Sequence, residues 1–196
     1  MIYDYKKLEK DLYCVKLTPT IIDVKSQTFI TIKGEGDPNE EDFSVRVSLL
    51  FTISYGIKMH YKALNHEYRV YPLEGVWESA DSPYLDKSKL KYTLQIRQPD
   101  FITQELFEEV KLKKKIVSNY DIKLEQISDG KAVQLLHFGS FDNEARSFKV
   151  MDDYLLLNHL KRVNNVYREI YLNNKNRTSV DNLKTILRYS VKGENK

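Results

Sequence analysis

Alternating apolar and polar positions predict several β-strands in this chain. Between Leu90 and Arg97 every second residue is apolar, which is the period of a half-buried strand. A run rich in β-branched residues, Gln27–Lys33, predicts another strand that ends in a Gly- and Pro-containing turn. Further strands are predicted at residues 68–77, 122–127, 132–138 and 166–173, and residues 183–191 form either a last strand or a short helix.

Apolar residues at helical spacing predict two helices. Gln104–Ile116 follows Thr103, a good N-cap, and Asn143–Leu160 follows Asp142, which we expect to cap that helix. Residues 43–59 fit both the strand period and the helix period. Their length and the acidic residues that precede them favour a helix.

The two halves of the chain repeat this order of elements. Each half runs from a strand through a glycine turn and an acidic helix start into a helix and another strand. Each repeat ends in Val-Tyr followed shortly by a glutamate, Glu74 in the first half and Glu169 in the second. This self-similarity predicts a duplicated unit, at about residues 20–115 and 120–192, whose two copies flank a shared cleft.

Composition and charge narrow the class of protein. The 196 residues include 31 Lys or Arg and 28 Asp or Glu, and the formal net charge of +3 is small for a surface that neutralises phosphates. Because no helix-turn-helix segment is recognisable either, we expect no direct contact with nucleic acid. The single cysteine, Cys14, cannot form an intramolecular disulfide. With no signal peptide and no apolar stretch long enough to span a membrane, we expect a soluble, cytoplasmic protein without a membrane partner.

Motifs for metals, nucleotides and serine nucleophiles are missing from the sequence. The four histidines have no metal-ligand spacing, and GEGDP lacks the later residues of a phosphate-binding loop. The segment FGSFD lacks the second glycine of a nucleophile elbow. We therefore expect no metal and no bound cofactor.

Glu169 is the strongest candidate for a functional residue, because strands disfavour a carboxylate at their centre. Strand alternation places Tyr167, Glu169 and Tyr171 on one face. A carboxylate between two phenols suits a cationic or polarised aromatic ligand, or general acid–base chemistry with a raised pKa. The alternative is a glutamate on an edge strand that pairs with Lys or Arg across the sheet.

A second group of candidates surrounds Trp77, the only tryptophan. Ligand sites favour aromatic walls with a few polar groups, so a pocket role for Trp77 beside Glu74 competes with ordinary core packing. For His137, a cleft-facing role and a purely structural role are both open. Among the 14 tyrosines, we expect five to line the same cleft: Tyr55, Tyr71, Tyr92, Tyr167 and Tyr171.

Several longer segments resemble the GyrI-like small-molecule-binding proteins, in particular stand-alone bacterial members of about this length. These segments are KGEGDPN, PLEGVW, LKYTLQIRQPDFIT, VQLLHFGSFDNE and REIYLNNKNRTSVDNLKTILR. The resemblance covers nearly the whole chain. It implies an α+β fold in which duplicated β-α-β-β modules form a curved antiparallel sheet, with helices flanking a ligand cleft.

The same resemblance implies a function. Related domains sense drugs in multidrug-responsive transcription regulators, where aromatic residues and a buried glutamate hold planar, often cationic compounds. Some stand-alone members hydrolyse the strained cyclopropane of DNA-alkylating antibiotics. REIYL corresponds to the motif with the family's central glutamate, here Glu169, and PLEGVW places Glu74 and Trp77 in the pocket. The chain departs from the family pattern at Tyr167 and Arg168, where two histidines are common, and at Phe141, where a tyrosine is usual.

We therefore expect an aromatic cleft that binds a planar, hydrophobic small molecule, either cationic or electrophilic. Trp77, Tyr92 and Phe141 would stack on it. In an enzyme, Glu169, assisted by Glu74, would activate water toward a strained electrophile, while Tyr171 or Tyr55 would donate to the developing oxyanion. Such a hydrolysis needs no cofactor.

Two other functions remain open on the sequence alone. One is a module that binds its ligand without turnover, and the other is an interaction protein that acts on a regulator or a topoisomerase. The sequence also leaves open whether the chain is a monomer or a homodimer.

Overall fold

A computed structural model describes residues 2–78, 89–116 and 119–193. The helices in these residues are α1 (Tyr5–Leu8), α2 (Lys10–Tyr13), α3 (Glu41–Ala63), α4 (Gln104–Lys113) and α5 (Glu144–Leu157). The strands are β1 (Thr20–Val24), β2 (Gln27–Glu35), β3 (Leu73–Glu78), β4 (Lys91–Gln98), β5 (Ile122–Ile127), β6 (Gly130–Phe138), β7 (Leu160–Arg162), β8 (Val166–Tyr171) and β9 (Lys184–Gly193). None of these helices is long and apolar enough to cross a membrane.

The strands form one curved antiparallel sheet, and this confirms the predicted α+β class. Its order is β1-β6-β9-β8-β3-β4-β2-β5, with β7 paired beside β9. The elements β2-α3-β3-β4 and β6-α5-β8-β9 are two β-α-β-β modules, and the pairing of β3 with β8 joins them. The predicted bounds of the two halves, 20–115 and 120–192, stay predictions.

The two long helices cover the same face of this sheet, which we call the helix face. Helix α3 packs on β2 and β4, whereas α5 packs on β6 and β7. Under α3, the buried core includes Leu50, Ile53, Leu94 and Ile96. A smaller core lies under α5 around Met151. The central strands β3 and β8 therefore run between the two helices.

Most of the predicted elements are present, with some corrections. The ambiguous segment 43–59 is helical, within α3, and buries one stripe of apolar residues. Helix α5 stops at Leu157, because the chain turns at His159, whose φ of 54° is incompatible with a helix, and then enters β7. Asp142 does not cap α5, since it lies inside a short 3₁₀ turn that Ser140 caps. Strand β3 begins at Leu73, five residues later than predicted, and β1, β7, α1 and α2 were not predicted.

The N-terminal segment packs on the opposite face, which we call the reverse face. Tyr5 stacks on Tyr71 with ring centroids 4.6 Å apart. Glu9 accepts hydrogen bonds from the hydroxyls of Tyr3, at 2.9 Å, and Tyr71, at 2.6 Å. The same carboxylate forms an ion pair with Arg97, which is buried on β4. Glu9 is therefore the counter-ion of a buried guanidinium.

Replacing Glu9 tests this role of the N-terminal segment. We expect Glu9→Ala to lower the free energy of unfolding by about 3–5 kcal/mol, because it leaves the buried Arg97 without its carboxylate. Urea unfolding measures this change. Glu109→Gln, at an exposed position of α4, should change the stability by no more than about 0.5 kcal/mol. Equal stabilities for the two variants would contradict the assignment.

Candidate functional site

Glu169 lies at the centre of the sheet, where the two modules meet. Strand β8 has β3 on one side and β9 on the other, and Glu169 is directly opposite Gly75 and Leu187. Its side chain projects onto the helix face, and only 7% of the residue is exposed. The structure therefore excludes the alternative of a solvent-exposed glutamate on an edge strand.

Two neighbours direct polar hydrogens toward the Glu169 carboxylate. The Tyr171 hydroxyl donates a hydrogen bond to Glu169 Oε2 at 2.7 Å. The indole N–H of Trp77 makes no hydrogen bond in the described residues, but its positive end faces the carboxylate and partly opposes the rise that burial causes in the pKa of Glu169. Gly75 leaves room for both groups, since a Cβ at this position would lie 2.6 Å from Trp77 Nε1 and 2.9 Å from Tyr171 Oη.

A second carboxyl group, Glu144, meets Glu169 from the first turn of α5. Burial, and then the negative charge of Glu169, raise the pKa of Glu144 well above its ordinary value. Burial also raises the pKa of Glu169, but hydrogen bonds from Tyr171 and Glu144 oppose this effect. Two buried carboxyl groups in contact cannot both ionise easily. The raised pKa of Glu144 favours its protonated form, in which it donates a hydrogen bond to Glu169.

Unpartnered polar atoms collect around this pair of carboxyl groups. Trp77 Nε1, Glu144 Oε1 and Thr185 Oγ1 are buried without a hydrogen-bond partner in the described residues. Thr185 lies opposite Tyr171 in the β8–β9 pairing. Because nearly all buried polar groups in proteins are paired, such a concentration is typical of a site that receives a ligand or water. We call Trp77, Glu144, Glu169, Tyr171 and Thr185 the Glu169 cluster.

His137 fixes the chain on both sides of Glu144. Its Nδ1 lies 2.9 Å from Ser147 Oγ, and its Nε2 lies 3.0 Å from the carbonyl oxygen of Ser140. A neutral imidazole satisfies both contacts by accepting from the serine hydroxyl and donating to the carbonyl. His137 is buried, so its place is structural: it holds the start of α5 against β6.

Other aromatic residues predicted for the cleft surround the Glu169 cluster. Phe141 makes an edge contact with Tyr171 at 5.7 Å between ring centroids, and it is partly exposed. Tyr167 packs edge-on against Phe148, and Tyr92 packs against Trp77 at 5.3 Å. These rings form aromatic walls around a polar centre, which is the composition expected of a small-molecule site.

Three of the candidates do not reach this cluster. Tyr55 is exposed on α3, and Tyr71 is buried on the reverse face beside the N-terminal segment. Glu74 also lies on the reverse face, where it accepts hydrogen bonds from Gln95 at 2.9 Å and from Arg168 at 2.7 Å. The register of the β3–β8 pairing places Gly75, and not Glu74, opposite Glu169. Since side chains alternate along a strand, the two glutamates project from opposite faces.

The sequence analysis missed Glu144. An acidic residue in the first turn of a helix has an ordinary explanation in the helix dipole, so Glu144 was not singled out, although it ends VQLLHFGSFDNE, one of the segments that carry the family resemblance. The signal appears only when the fold brings α5 over β8.

The chain belongs to the GyrI-like small molecule binding domain family, whose model matches residues 17–192. Its fold is also that of solved structures. A hydrolase from Listeria innocua is 31% identical, with 98% of this chain and 100% of that chain covered and a TM-score of 0.89. An uncharacterized conserved protein from Listeria innocua is 32% identical, with 97% and 100% covered and a TM-score of 0.88.

The likeness extends to a more distant structure. The EcmrR C-terminal domain is 12% identical, with 90% of this chain and 98% of that chain covered and a TM-score of 0.53, which shows a shared fold alone. No curated protein matches the chain. The family and the geometry together define a small-molecule binding domain.

Gly75→Ala tests the close packing beneath Glu169. The added methyl group overlaps Trp77 Nε1 and Tyr171 Oη, so we expect a loss of about 1–3 kcal/mol in the free energy of unfolding. Gly193→Ala is the matched control on β9, since a Cβ there meets no atom within 4 Å. Thermal unfolding distinguishes the two variants. A Gly75→Ala protein as stable as the control would contradict the packing.

Glu144→Gln tests the proton shared by the two carboxyl groups. A carboxyl group with a raised pKa keeps its proton in the folded state after the unfolded chain has lost it, so stability falls as the pH rises above about 4.3. Glutamine cannot ionise. The variant should therefore lose less stability than the wild type between pH 5 and pH 9. The slope of its free energy of unfolding against pH should be smaller by up to about 1.4 kcal/mol per pH unit. Urea unfolding at several pH values measures this slope, with Glu109→Gln as the exposed control. The shared proton would be contradicted if the free energy of unfolding had the same pH dependence in Glu144→Gln, in Glu109→Gln and in the wild type.

Proposed function

We propose that the Glu169 cluster binds a planar, hydrophobic small molecule that is cationic or electrophilic, and that it hydrolyses electrophilic ligands with a strained ring. One observation carries the proposal. The buried carboxyl group of Glu169 on the central strand contacts a phenol and a second carboxyl group whose pKa is raised, and aromatic side chains surround all three. This arrangement supplies a base, two proton donors and stacking surfaces in one place.

Charge complementarity supports a cationic ligand. The Glu169 carboxylate is buried, and Arg168, its neighbour in sequence, faces the other side of the sheet. In the described residues the cluster therefore contains no basic side chain. A cation placed against Glu169 would neutralise a buried negative charge, and the rings of Trp77 and Phe141 would attract it through their π-faces.

The same groups can perform a hydrolysis in which the protons balance. Glu169 removes a proton from a water molecule as the water attacks a carbon of the strained ring, and the ring bond to that carbon breaks, leaving its electron pair on the rest of the ligand. Glu144 or Tyr171 donates a proton to the atom on which negative charge develops. Because Glu169 contacts both Glu144 and Tyr171, the proton that it gains can return to whichever of them donated and restore the starting state. Glu144 thus takes the assisting role that the sequence analysis gave to Glu74.

The relatives support this assignment without identifying a substrate. The Listeria innocua protein described as a hydrolase shares 31% identity over nearly the whole chain. The family is one of small-molecule binding domains. We infer that the substrate is an alkylating agent with a strained cyclopropane, because ring opening requires the paired base and acid that Glu169 and Glu144 supply.

Turnover of a spirocyclopropane alkylating agent tests the proposal. The wild type should form the ring-opened, hydrated product faster than water alone, measured by chromatography. Glu169→Gln should lower kcat/KM by about 10²–10⁴, the range for loss of a general base. Glu74→Gln removes a buried carboxylate from the opposite face and should keep most of the activity, once circular dichroism shows that it folds.

Binding of a planar cationic dye, followed by fluorescence, separates binding from turnover. The account predicts binding by the wild type and a weaker affinity in Glu169→Gln. Dye binding without any hydrolysis of the cyclopropane would restrict the site to binding. Equal dye affinity and equal activity in the wild type and in Glu169→Gln would refute both parts of the proposal.

A further inference from the structure

A groove of about 370 Å³ opens on the reverse face of the sheet, away from the Glu169 cluster. Its floor includes Val76, Thr93, Gln95, Arg168 and Arg188, which alternate with residues of the helix face along β3, β4, β8 and β9. The volume falls in the range of small-molecule pockets, about 300–1,000 Å³. We call it the reverse groove.

Two arginines lie side by side in the reverse groove, with Glu74 and Asp129 as their counter-ions. Arg168 and Arg188 are register partners, and their side chains are only 7% and 2% exposed. Arg168 donates to Glu74 at 2.7 Å and to Asp129 at 2.6 Å. The hydrogen bonds to both carboxylates therefore come from Arg168, and Arg188 is left with a longer ion pair to Asp129.

Arg188 has no hydrogen-bonded carboxylate in the described residues. Its Nε and Nη2 donate to neutral oxygens, those of Gln134 and the carbonyl of Leu12. Its Nη1 lies 3.8 Å from Asp129 Oδ2, which is beyond hydrogen-bond distance. Burial, followed by the charge of Arg168, lowers the pKa of Arg188. This buried cation is thus poised to accept an anion from the groove.

Unused acceptors lie beside this unused donor. Asp129 Oδ2 and Gln95 Oε1 are buried without a hydrogen-bond partner in the described part of the chain. Both residues line the reverse groove, as do Lys33 and Glu125. A simple anion at Arg188 would be repelled by Asp129, whereas a simple cation at Asp129 would be repelled by Arg168 and Arg188. A molecule that carries a negative and a positive group a few ångströms apart can pair with Arg188 and Asp129 at the same time.

We propose that the reverse groove is a second small-molecule site, which binds a free α-amino acid with its carboxylate on Arg188 and its ammonium group on Asp129. Val76 and Ile127 provide the apolar part of the groove for the side chain. This site is separate from the Glu169 cluster, because the sheet lies between them. The proposal does not depend on the hydrolysis.

Thermal unfolding of the full chain with each of the twenty L-amino acids tests this site. At least one should raise the melting temperature by roughly 5–10 °C when present at a hundred times its dissociation constant. The N-acetyl derivative lacks the ammonium group and the amide derivative lacks the carboxylate, so neither should produce the shift. No shift with any amino acid, or an equal shift with either derivative, would overturn the proposal.

Variants on the two faces locate the binding. Thr93→Phe fills the reverse groove from a half-buried position whose hydroxyl makes no hydrogen bond in the described residues, and it should abolish the shift. Arg188→Gln should abolish it as well, provided that the variant folds. Glu169→Gln changes the other face and should keep the full shift. Loss of the shift in Glu169→Gln with retention in Thr93→Phe would place the amino acid in the Glu169 cluster and refute the second site.

Discussion

The antiparallel pairing of β3 with β8 is the interaction on which the rest of this structure depends. It joins two β-α-β-β modules into one continuous sheet and leaves α3 and α5 on either side of the seam. The register of this pairing places Gly75 opposite Glu169. The missing side chain at Gly75 opens the space that Trp77 and Tyr171 use to approach the carboxylate.

Side-chain alternation along these two strands then separates two polar centres. Arg168 and Glu169 are consecutive in sequence, yet they lie on opposite faces of the sheet. The same is true of Glu74 and Gly75. On the helix face a negative carboxylate is buried among aromatic rings. On the reverse face Arg168 is hydrogen-bonded to Glu74 and Asp129, and Arg188 lies within ion-pair distance of Asp129. Buried charges of this kind are costly, so their concentration at the seam supports the proposal of binding sites in this part of the sheet.

Much of the fold could be predicted from the sequence, because its strands and helices have regular periods. The duplicated β-α-β-β order is visible in the repeated turns and helix starts. The short elements β7, α1 and α2 could not be predicted, since three or four residues carry no period. Helix α5 was predicted too long for a related reason: the apolar residues near Leu157 continue the pattern after the helix ends, and only the backbone at His159 reveals the turn.

The candidate site was predictable in part. The position of Glu169 in mid-strand identified its central residue, and alternation identified Tyr167 and Tyr171 as its neighbours. Pairing Glu74 with Glu169 failed because β3 begins only after its Val-Tyr and its register places Gly75 opposite Glu169, which leaves Glu74 on the other face. Glu144 was out of reach, since its contact with Glu169 joins a helix start to a strand 25 residues away in sequence and depends on tertiary packing.

A crystal structure of the protein with a bound planar cationic dye tests the central claim most directly. The account predicts the dye on the helix face, with a ring against Phe141 or Tyr171 and its positive charge within about 4–6 Å of the Glu169 carboxylate. A dye bound in the reverse groove, or on the surface of α3 away from Glu169, would contradict it.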